Sequence, residues 1–313
     1  MAVPFKPRNL LIFGATGAIG SFITRSIVSA RSEFERIAVF TSPPAAGSSK
    51  AAKLDELKAK GVDVIYGNIE NEKEVSDAYK GIDTVVSALG RTAILHQIPL
   101  IKLAAASGSV KWFFPSEYGT DIKYNASSVH EKPHQGKLKV RAYLEEDPEI
   151  RRSGLNYTYV VTGPYADMYY AFSGPEEAGG FDVKGKRAVL VERNNKVSLT
   201  TMKDTGDFVL AALRHPETAL NKALRVNSFT TTPGEILAEL EKQTGGTPWT
   251  DVKETSLARI RELEKETDHV VVTLRRIWAE GGTLYEKTDN DLIGNPKTQT
   301  LQESVAEYIK QNS

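Results

Sequence analysis

The stretch that decides the fold is LLIFGATGAIGSFITRSI, residues 10–27. Four apolar residues predict a buried strand, a turn with Gly14, Gly17 and Gly20 follows, and the apolar spacing after the turn predicts a helix. In such a unit the first glycine allows the tight turn, the second lets a phosphate approach the backbone, and the third lets helix and strand pack closely. The free N–H groups at the helix start favour phosphate. The stretch predicts a dinucleotide site, and the alternative is a purely structural turn.

Apolar runs alternate with helical patterns through the first half of the chain. The runs at 10–13, 37–40, 62–67, 83–90, 110–116 and 157–163 are mostly continuous rather than alternating in polarity. Strands covered on both faces of a parallel sheet have this pattern. We therefore predict an α/β fold with a Rossmann doubly wound parallel sheet.

The Rossmann domain is expected over residues 1–163. A smaller α/β C-terminal substrate lobe is expected over 164–313, with some segments returning to the sheet. In detail, the stretch TSPPAAGSSKAAK (41–53) predicts a loop because it is rich in Pro, Gly, Ser and Ala, and ALRVNSF (223–229) predicts one strand.

Composition excludes several classes of function. Lys plus Arg and Asp plus Glu both number 40, which argues against a nucleic-acid partner, and cysteine is absent, which excludes thiolate nucleophiles and Cys-ligated zinc. No His, Asp or Glu spacing indicates a metal site. The start of the chain does not have the pattern of a signal peptide, and no apolar run is long enough to suggest a membrane partner. A cytoplasmic protein is expected, and a homodimer is left open.

The end of the second predicted strand bears on the choice of cofactor. NAD sites usually carry an acid there to bind the ribose 2′-hydroxyl, but no acid follows Phe40 until Asp55, whereas Lys50 and Lys53 lie between them. This pattern favours a 2′-phosphate, and therefore NADP. The alternative is that these lysines are solvated loop charges, which leaves NAD open.

Five motifs together resemble the isoflavone reductase-like and NmrA-like branch of the atypical short-chain dehydrogenases. They are GATGAIG (14–20), YGNIEN (66–71), VVSALG (85–90), FFPSEYGTDI (113–122) and GKLKVRAYLE (136–145). The resemblance covers about residues 8–215 and is looser beyond them. It implies a Rossmann domain with a small substrate lobe, NADPH as cofactor, phenylpropanoid or isoflavonoid-type substrates, and an active-site lysine that corresponds to Lys137. The basic residue common at the end of the second strand in these reductases is replaced here by Thr41 and Ser42.

The position of Lys137 on its predicted helix supports that assignment. No tyrosine has a lysine four residues later, so the usual Tyr-x-x-x-Lys pair is absent. Lys137 borders an apolar stripe of the helix, whereas Lys139 and Arg141 are expected to point toward solvent. Partial burial would lower the pKa of Lys137 toward neutrality, where proton transfer is efficient. The alternative is a lysine whose stem covers apolar surface while its amine stays in water. The stripe consists of Val140, Tyr143 and Leu144.

We therefore predict an NADPH-dependent reductase of a small aromatic or phenolic substrate, with Lys137 as general acid or base. The alternatives are an NADP(H)-binding redox sensor without turnover and a non-redox isomerase or cyclase. Besides Lys137, the residues predicted to bind the cofactor are Gly14, Thr16, Gly17, Ala18, Ile19, Gly20, Thr41, Ser42, Lys53, Ser87, Ala88, Leu89, Gly90, Pro115 and Ser116.

The predicted substrate pocket is aromatic, and its alternative is that these aromatic residues belong to the core. His130 and His134 flank the helix start and are candidates for substrate binding or proton relay, and Glu117 is expected to orient its loop. Phe172 is a further candidate for the aromatic lining. The residues predicted to bind substrate are Tyr118, His134, Gly163, Tyr165, Met168 and Tyr169.

Overall fold

The computed structural model describes residues 5–313 and contains twelve strands in that range. The strands are β1 (Asn9–Phe13), β2 (Arg36–Thr41), β3 (Asp63–Tyr66), β4 (Thr84–Ser87), β5 (Trp112–Phe114), β6 (Asn156–Val161), β7 (Gly180–Asp182), β8 (Arg187–Val191), β9 (Val197–Leu199), β10 (Lys222–Arg225), β11 (Phe229–Thr231) and β12 (Asp251–Thr255).

Thirteen α-helices accompany these strands within residues 5–313, and none of them is long and apolar enough to cross a membrane. The helices are α1 (Ala18–Ser29), α2 (Ser49–Ala59), α3 (Glu72–Ala78), α4 (Gln97–Ser107), α5 (Gln135–Glu146), α6 (Pro148–Ser153), α7 (Ala166–Tyr170), α8 (Met202–Arg214), α9 (Pro216–Ala219), α10 (Pro233–Gln243), α11 (Leu257–Glu266), α12 (Val270–Ala279) and α13 (Leu301–Asn312).

Seven strands form one parallel sheet in the order β10-β6-β5-β4-β1-β2-β3. The chain order reverses between β1 and β4, where Phe13 pairs with Ser87 at the carboxyl ends. Open α/β sheets bind their ligands at such a switch point. The predicted doubly wound fold is confirmed, and the glycine loop lies at its switch point.

The sheet is covered on both faces, which explains its continuous apolar strands. Successive side chains of a strand point to opposite faces. Leu10 and Ile12 of β1 belong to the core beneath α1 and α8, whereas Leu11 and Phe13 belong to the core beneath α3, α4 and α5. Gly206 lets α8 approach α1 closely, because a Cβ there would lie 2.6 Å from the Phe22 carbonyl oxygen.

The later part of the chain builds a smaller α/β unit with two sheets of its own. In one, β9 and β11 are antiparallel; in the other, β8 pairs with β7 antiparallel and with β12 parallel. Tyr170, Phe181, Leu190 and Tyr308 contribute to a separate core. β10 pairs with β6 of the large sheet, so a segment from this half does return to it. The domain division at residue 163 stays a prediction.

Two local expectations were wrong. The predicted loop 41–53 becomes helical from Ser49, because the Ser48 hydroxyl accepts a hydrogen bond from the Ala51 N–H and caps α2. The predicted single strand 223–229 is divided: its first part ends β10 in the large sheet, and Phe229 starts β11 in the smaller unit. The sequence pattern also missed β12, which is largely exposed.

Candidate active site

The first and third glycines of the loop are required by close packing. Gly14 has φ +74°, and a Cβ there would lie 2.4 Å from the Ala88 carbonyl oxygen, while a Cβ on Gly20 would lie 2.0 Å from the Gly14 carbonyl oxygen. Gly17 is exposed and precedes α1, whose first turn has neither a side-chain cap nor an acid. The N–H groups of that turn are therefore left for a ligand, and the loop fits a dinucleotide pyrophosphate.

Two lysines of α2 reach back toward the glycine loop and the end of β2. Lys50 Nζ donates to the backbone and side-chain oxygens of Ser42 at 2.7 and 2.8 Å. Lys53 Nζ lies 3.4 Å from the Thr16 carbonyl oxygen, and Thr41 ends β2 beside them. These positive charges fit a ribose 2′-phosphate, whereas an NAD site would normally present a carboxylate here.

The residues after β4 divide into two groups. Ser87 and Ala88 are buried and do not line the cleft, and Ala88 packs directly against Gly14 and Gly20 of the glycine loop. Their contact with the cofactor stays a prediction. Leu89 and Gly90 do line the cleft.

The end of β5 is tied to the end of β4. The Ser116 N–H donates to Gln97 Oε1 at 2.7 Å, and its hydroxyl donates to the Leu89 carbonyl oxygen at 2.8 Å. Ser116 lines the cleft, whereas Pro115 is buried and does not. The two strand ends are therefore held together as one wall of the site.

The cleft has a volume of about 590 Å³ and joins the glycine loop to α5. It narrows into a second, mainly apolar cavity of about 180 Å³. Lys137 borders both spaces. The residues that line the cleft include Ala18, Ile19, Leu89, Gly90, Ser116 and Lys137, and those that line both spaces are Arg91, Tyr118, Pro133, Lys137, Tyr165 and Met168.

Lys137 lies on the first turn of α5, and its amine faces inward. Nζ donates a hydrogen bond to the Glu117 carbonyl oxygen. Burial lowers the pKa of Lys137 to about 8, helped by the positive charges of Arg91 and Arg141 and opposed by the Glu117 carboxylate. An amine with this pKa can exchange a proton near neutral pH.

The expected solvent orientation of Arg141 was wrong. Its side chain is buried and forms two hydrogen bonds with the Glu117 carboxylate, from Nε at 3.1 Å and from Nη2 at 2.9 Å. The physical reason is helical geometry: residues four apart share a face, so Arg141 lies one turn below Lys137. Glu117 orients its loop, as expected, and the same loop offers its backbone oxygen to the Lys137 amine.

Two of the predicted substrate residues that line the cavity have a buried, unpaired polar atom. The Tyr118 hydroxyl and His134 Nε2 are buried without hydrogen-bond partners. His134 Nδ1 lies 2.8 Å from the Ser128 carbonyl oxygen, which can only accept, so Nδ1 carries the proton and Nε2 is an acceptor. Burial lowers the pKa of His134, which keeps the ring neutral. Such orphan atoms are well suited to a polar ligand.

Three predicted pocket residues lie elsewhere. Tyr169 is packed between the guanidinium of Arg275 and the ring of Trp278, outside the cavity, because α7 turns its ring toward α12. Phe172 lies beneath the Arg187 guanidinium at 4.8 Å. His130 is exposed on a short helical turn. Gly163, Tyr165 and Met168 line the cavity as expected.

Sequence reasoning missed the wall that α12 contributes. This wall is remote in sequence from the motifs, and its apolar spacing resembles that of any core-facing helix. Within residues 5–313 no group of three His, Asp or Glu side chains could hold a metal ion. The residues of the wall are Val271, Leu274, Arg275 and Trp278.

Comparisons with known proteins agree with this architecture. The model of the NmrA-like family matches residues 6–267. A phenylcoumaran benzylic ether reductase of Pinus taeda is 31% identical over 238 residues, 75% of this chain and 74% of that protein. Oxidoreductase aprR of Aspergillus flavus is 30% identical over 313 residues, 96% of this chain and 99% of that protein.

A solved structure shares the whole architecture. It is the binary complex of leucoanthocyanidin reductase with NADPH from Vitis vinifera, which superimposes with a TM-score of 0.77 at 24% identity and covers 96% of this chain and 99% of the other. At that identity the likeness concerns the fold. The chain therefore belongs to the NmrA-like family and is an oxidoreductase, as its motifs predicted.

Proposed function

We propose that this protein is an NADPH-dependent reductase of a small aromatic or phenolic substrate. The observation that carries the proposal is the position of the Lys137 amine, which borders both the glycine-loop cleft and the apolar cavity. The reductase names of its relatives and the NADPH-bound structural neighbour support the same reading.

The residues present fit the cofactor. The loop of Gly14, Gly17 and Gly20 would hold the pyrophosphate, and Lys50 and Lys53 would hold the 2′-phosphate. When bound, NADPH supplies a hydride to an electron-poor carbon of the substrate. The protein's own contribution is to exclude water from the cavity and to deliver the matching proton.

Lys137 is the proton donor in this proposal. Its ammonium group gives one proton to a substrate oxygen while one hydride reaches carbon, so the substrate gains two electrons and two hydrogens. In a benzylic ether the carbon–oxygen bond breaks and the proton ends on the departing oxygen. The Glu117 carbonyl oxygen holds the amine in place throughout, and solvent then returns the proton.

The test replaces the amine and keeps the stem. Lys137→Met should lower turnover by about 10²–10⁴-fold, the usual contribution of a positioned acid, while NADPH affinity stays within a few-fold of the wild type. Lys139→Met is the matched control, because Lys139 is exposed on the same helix. Turnover is measured as NADPH consumption with aromatic enones, benzylic ethers and quinones.

Two results would go against the proposal. Near-normal turnover by Lys137→Met would remove the lysine from the mechanism. Tight binding of both NADP⁺ and NADPH by the wild type, without consumption on any member of the panel, would favour a redox sensor instead.

A further inference from the structure

The charged side chains that line the apolar cavity are all basic. They are Arg91, Lys137 and Arg275; the His134 ring beside them is neutral, and no Asp or Glu lines the cavity. Of the acids that lie near lining residues in sequence, Glu117 and Asp121 pair with Arg141, Glu131 with Arg276, and Asp268 with Lys132, whereas Asp167 accepts a hydrogen bond from the Met202 N–H. The side chains that line the cavity therefore carry a positive charge, which favours an anionic ligand.

Arg275 is the most unusual member of this lining. Only 3% of the residue is exposed, yet it has no ion-pair partner among residues 5–313. Its side-chain hydrogen bonds both come from Nη2, to the carbonyl oxygens of Tyr169 at 2.6 Å and Gly179 at 3.4 Å, and Nε is buried with no partner. A buried cation without an anion carries a desolvation cost that two neutral carbonyls offset only in part.

The surroundings of Arg275 partly explain its position. The guanidinium lies 3.9 Å from the centre of the Tyr169 ring and 5.6 Å from that of Trp278, a favourable arrangement for a cation over aromatic faces. Aromatic faces stabilise the charge, but they do not supply the acceptor oxygens that its remaining N–H groups lack. A carboxylate supplies both charge and acceptors, and Arg is the side chain best suited to bind it.

The rest of the cavity limits the size and polarity of the ligand that carries this carboxylate. Leu274, Val271 and Met168 give it an apolar lining, and the unpaired Tyr118 hydroxyl and His134 Nε2 offer positions for a phenol or carbonyl. About 180 Å³ is enough for a single-ring or conjugated compound and small for a large glycoside.

We infer that the substrate is an aromatic or conjugated carboxylic acid, bound as its carboxylate by Arg275. This inference rests on the proposed function only in taking the cavity as the substrate site. It narrows the substrate class from neutral phenolics to acids, and it assigns to Arg275 the discrimination between an acid and its neutral counterparts.

The experiment compares acids with their amides, which have nearly the same shape and no charge. The protein loaded with NADP⁺ is titrated at pH 7 with benzoate, cinnamate and 4-hydroxycinnamate and with the three matching amides, and binding is followed by calorimetry. At least one acid should bind about tenfold or more tightly than its amide. Arg275→Met should abolish that preference and leave the affinity for the amide within twofold.

The controls separate recognition from folding. Arg261→Met removes an exposed arginine from the neighbouring helix, where it pairs with Glu280, and should preserve the acid preference. If Arg275→Met does not fold, the wild-type comparison still tests the acid preference, and Arg275→Lys, which keeps the charge but loses the planar fork, tests whether Arg275 provides it. Acids that bind no more tightly than their amides in all three pairs would overturn the inference.

The carboxylate site and the reductase activity can be refuted independently of each other. Acid-selective binding without NADPH consumption would refute the reductase and leave the carboxylate site standing. Turnover of neutral compounds with no acid preference would refute the carboxylate site and leave the reductase standing.

Discussion

The pH dependence of reduction depends directly on the environment of Lys137. If its ammonium form is the proton donor, the rate follows the protonated fraction and falls as pH rises through the pKa. Burial, together with the charge of Arg91, places that pKa at about 8 instead of the ordinary 10.5. Reduction should therefore decline above pH 8, and the reverse oxidation, which needs the neutral amine, should rise over the same range.

The size of the decline follows from this pKa. With a pKa of about 8, roughly nine-tenths of the amine is protonated at pH 7 and roughly one-tenth at pH 9, a fall of about tenfold. An unperturbed lysine would remain almost fully protonated at pH 9, and the rate would change by only a few per cent.

The assay measures kcat/KM for NADPH between pH 6 and 10 with a saturating substrate, since this parameter reports groups of the enzyme before the cofactor binds. Cofactor deuterated at the transferred position shows whether hydride transfer limits the rate at each pH. Arg91→Met removes a positive charge that lowers the pKa of Lys137, so its midpoint should move to higher pH. Lys139→Met should leave the midpoint unchanged, because Lys139 is exposed.

A rate that stays flat to pH 9.5, with hydride transfer shown to be limiting, would refute the reasoning. It would mean either that the amine keeps its ordinary pKa or that another group donates the proton. A midpoint that moves to lower pH in Arg91→Met would contradict the assigned cause even if the wild-type profile agreed.

Three further predictions concern the glycine loop, the 2′-phosphate and the buried ion pair. Gly20→Ala should lower the thermal unfolding midpoint, because its Cβ would lie 2.0 Å from a backbone oxygen. Gly17→Ala should lower the midpoint less and should weaken NADPH binding. Unaltered NADPH affinity in Gly17→Ala would contradict the role of the loop. Lys53→Met should raise the Kd for NADPH about tenfold and the Kd for NADH less than twofold, and equal effects on both would argue against a 2′-phosphate contact. Arg141→Met should lower the free energy of unfolding, measured in urea, by about 3–5 kcal/mol, because Glu117 stays buried without its partner. The double variant Arg141→Met, Glu117→Gln should recover part of this loss. A loss below about 1 kcal/mol in Arg141→Met would show that the ion pair contributes little to stability.

The fold and the cofactor-binding loop could be predicted from local patterns in the sequence. The continuous apolar strands and the spacing of Gly14, Gly17 and Gly20 are patterns that can be recognised in a short stretch of sequence, so the doubly wound sheet could be predicted from them. The inward position of Lys137 also followed, because a residue at the border of an apolar stripe has its direction set by helical geometry.

Only the tertiary structure shows which charged side chains form ion pairs and which line the cavity. Arg141 of α5 pairs with Glu117, which lies 24 residues earlier on a loop, whereas the sequence pattern predicted that this arginine points toward solvent. Arg275 of α12 brings a further cation to the cavity and lies against the ring of Tyr169, 106 residues earlier in the chain, which packs outside the pocket. Sequence periodicity shows which face of a helix or strand is apolar, but it does not show which distant element packs against that face. Buried ion pairs and cavities form where distant elements meet, so they could not be predicted from the sequence.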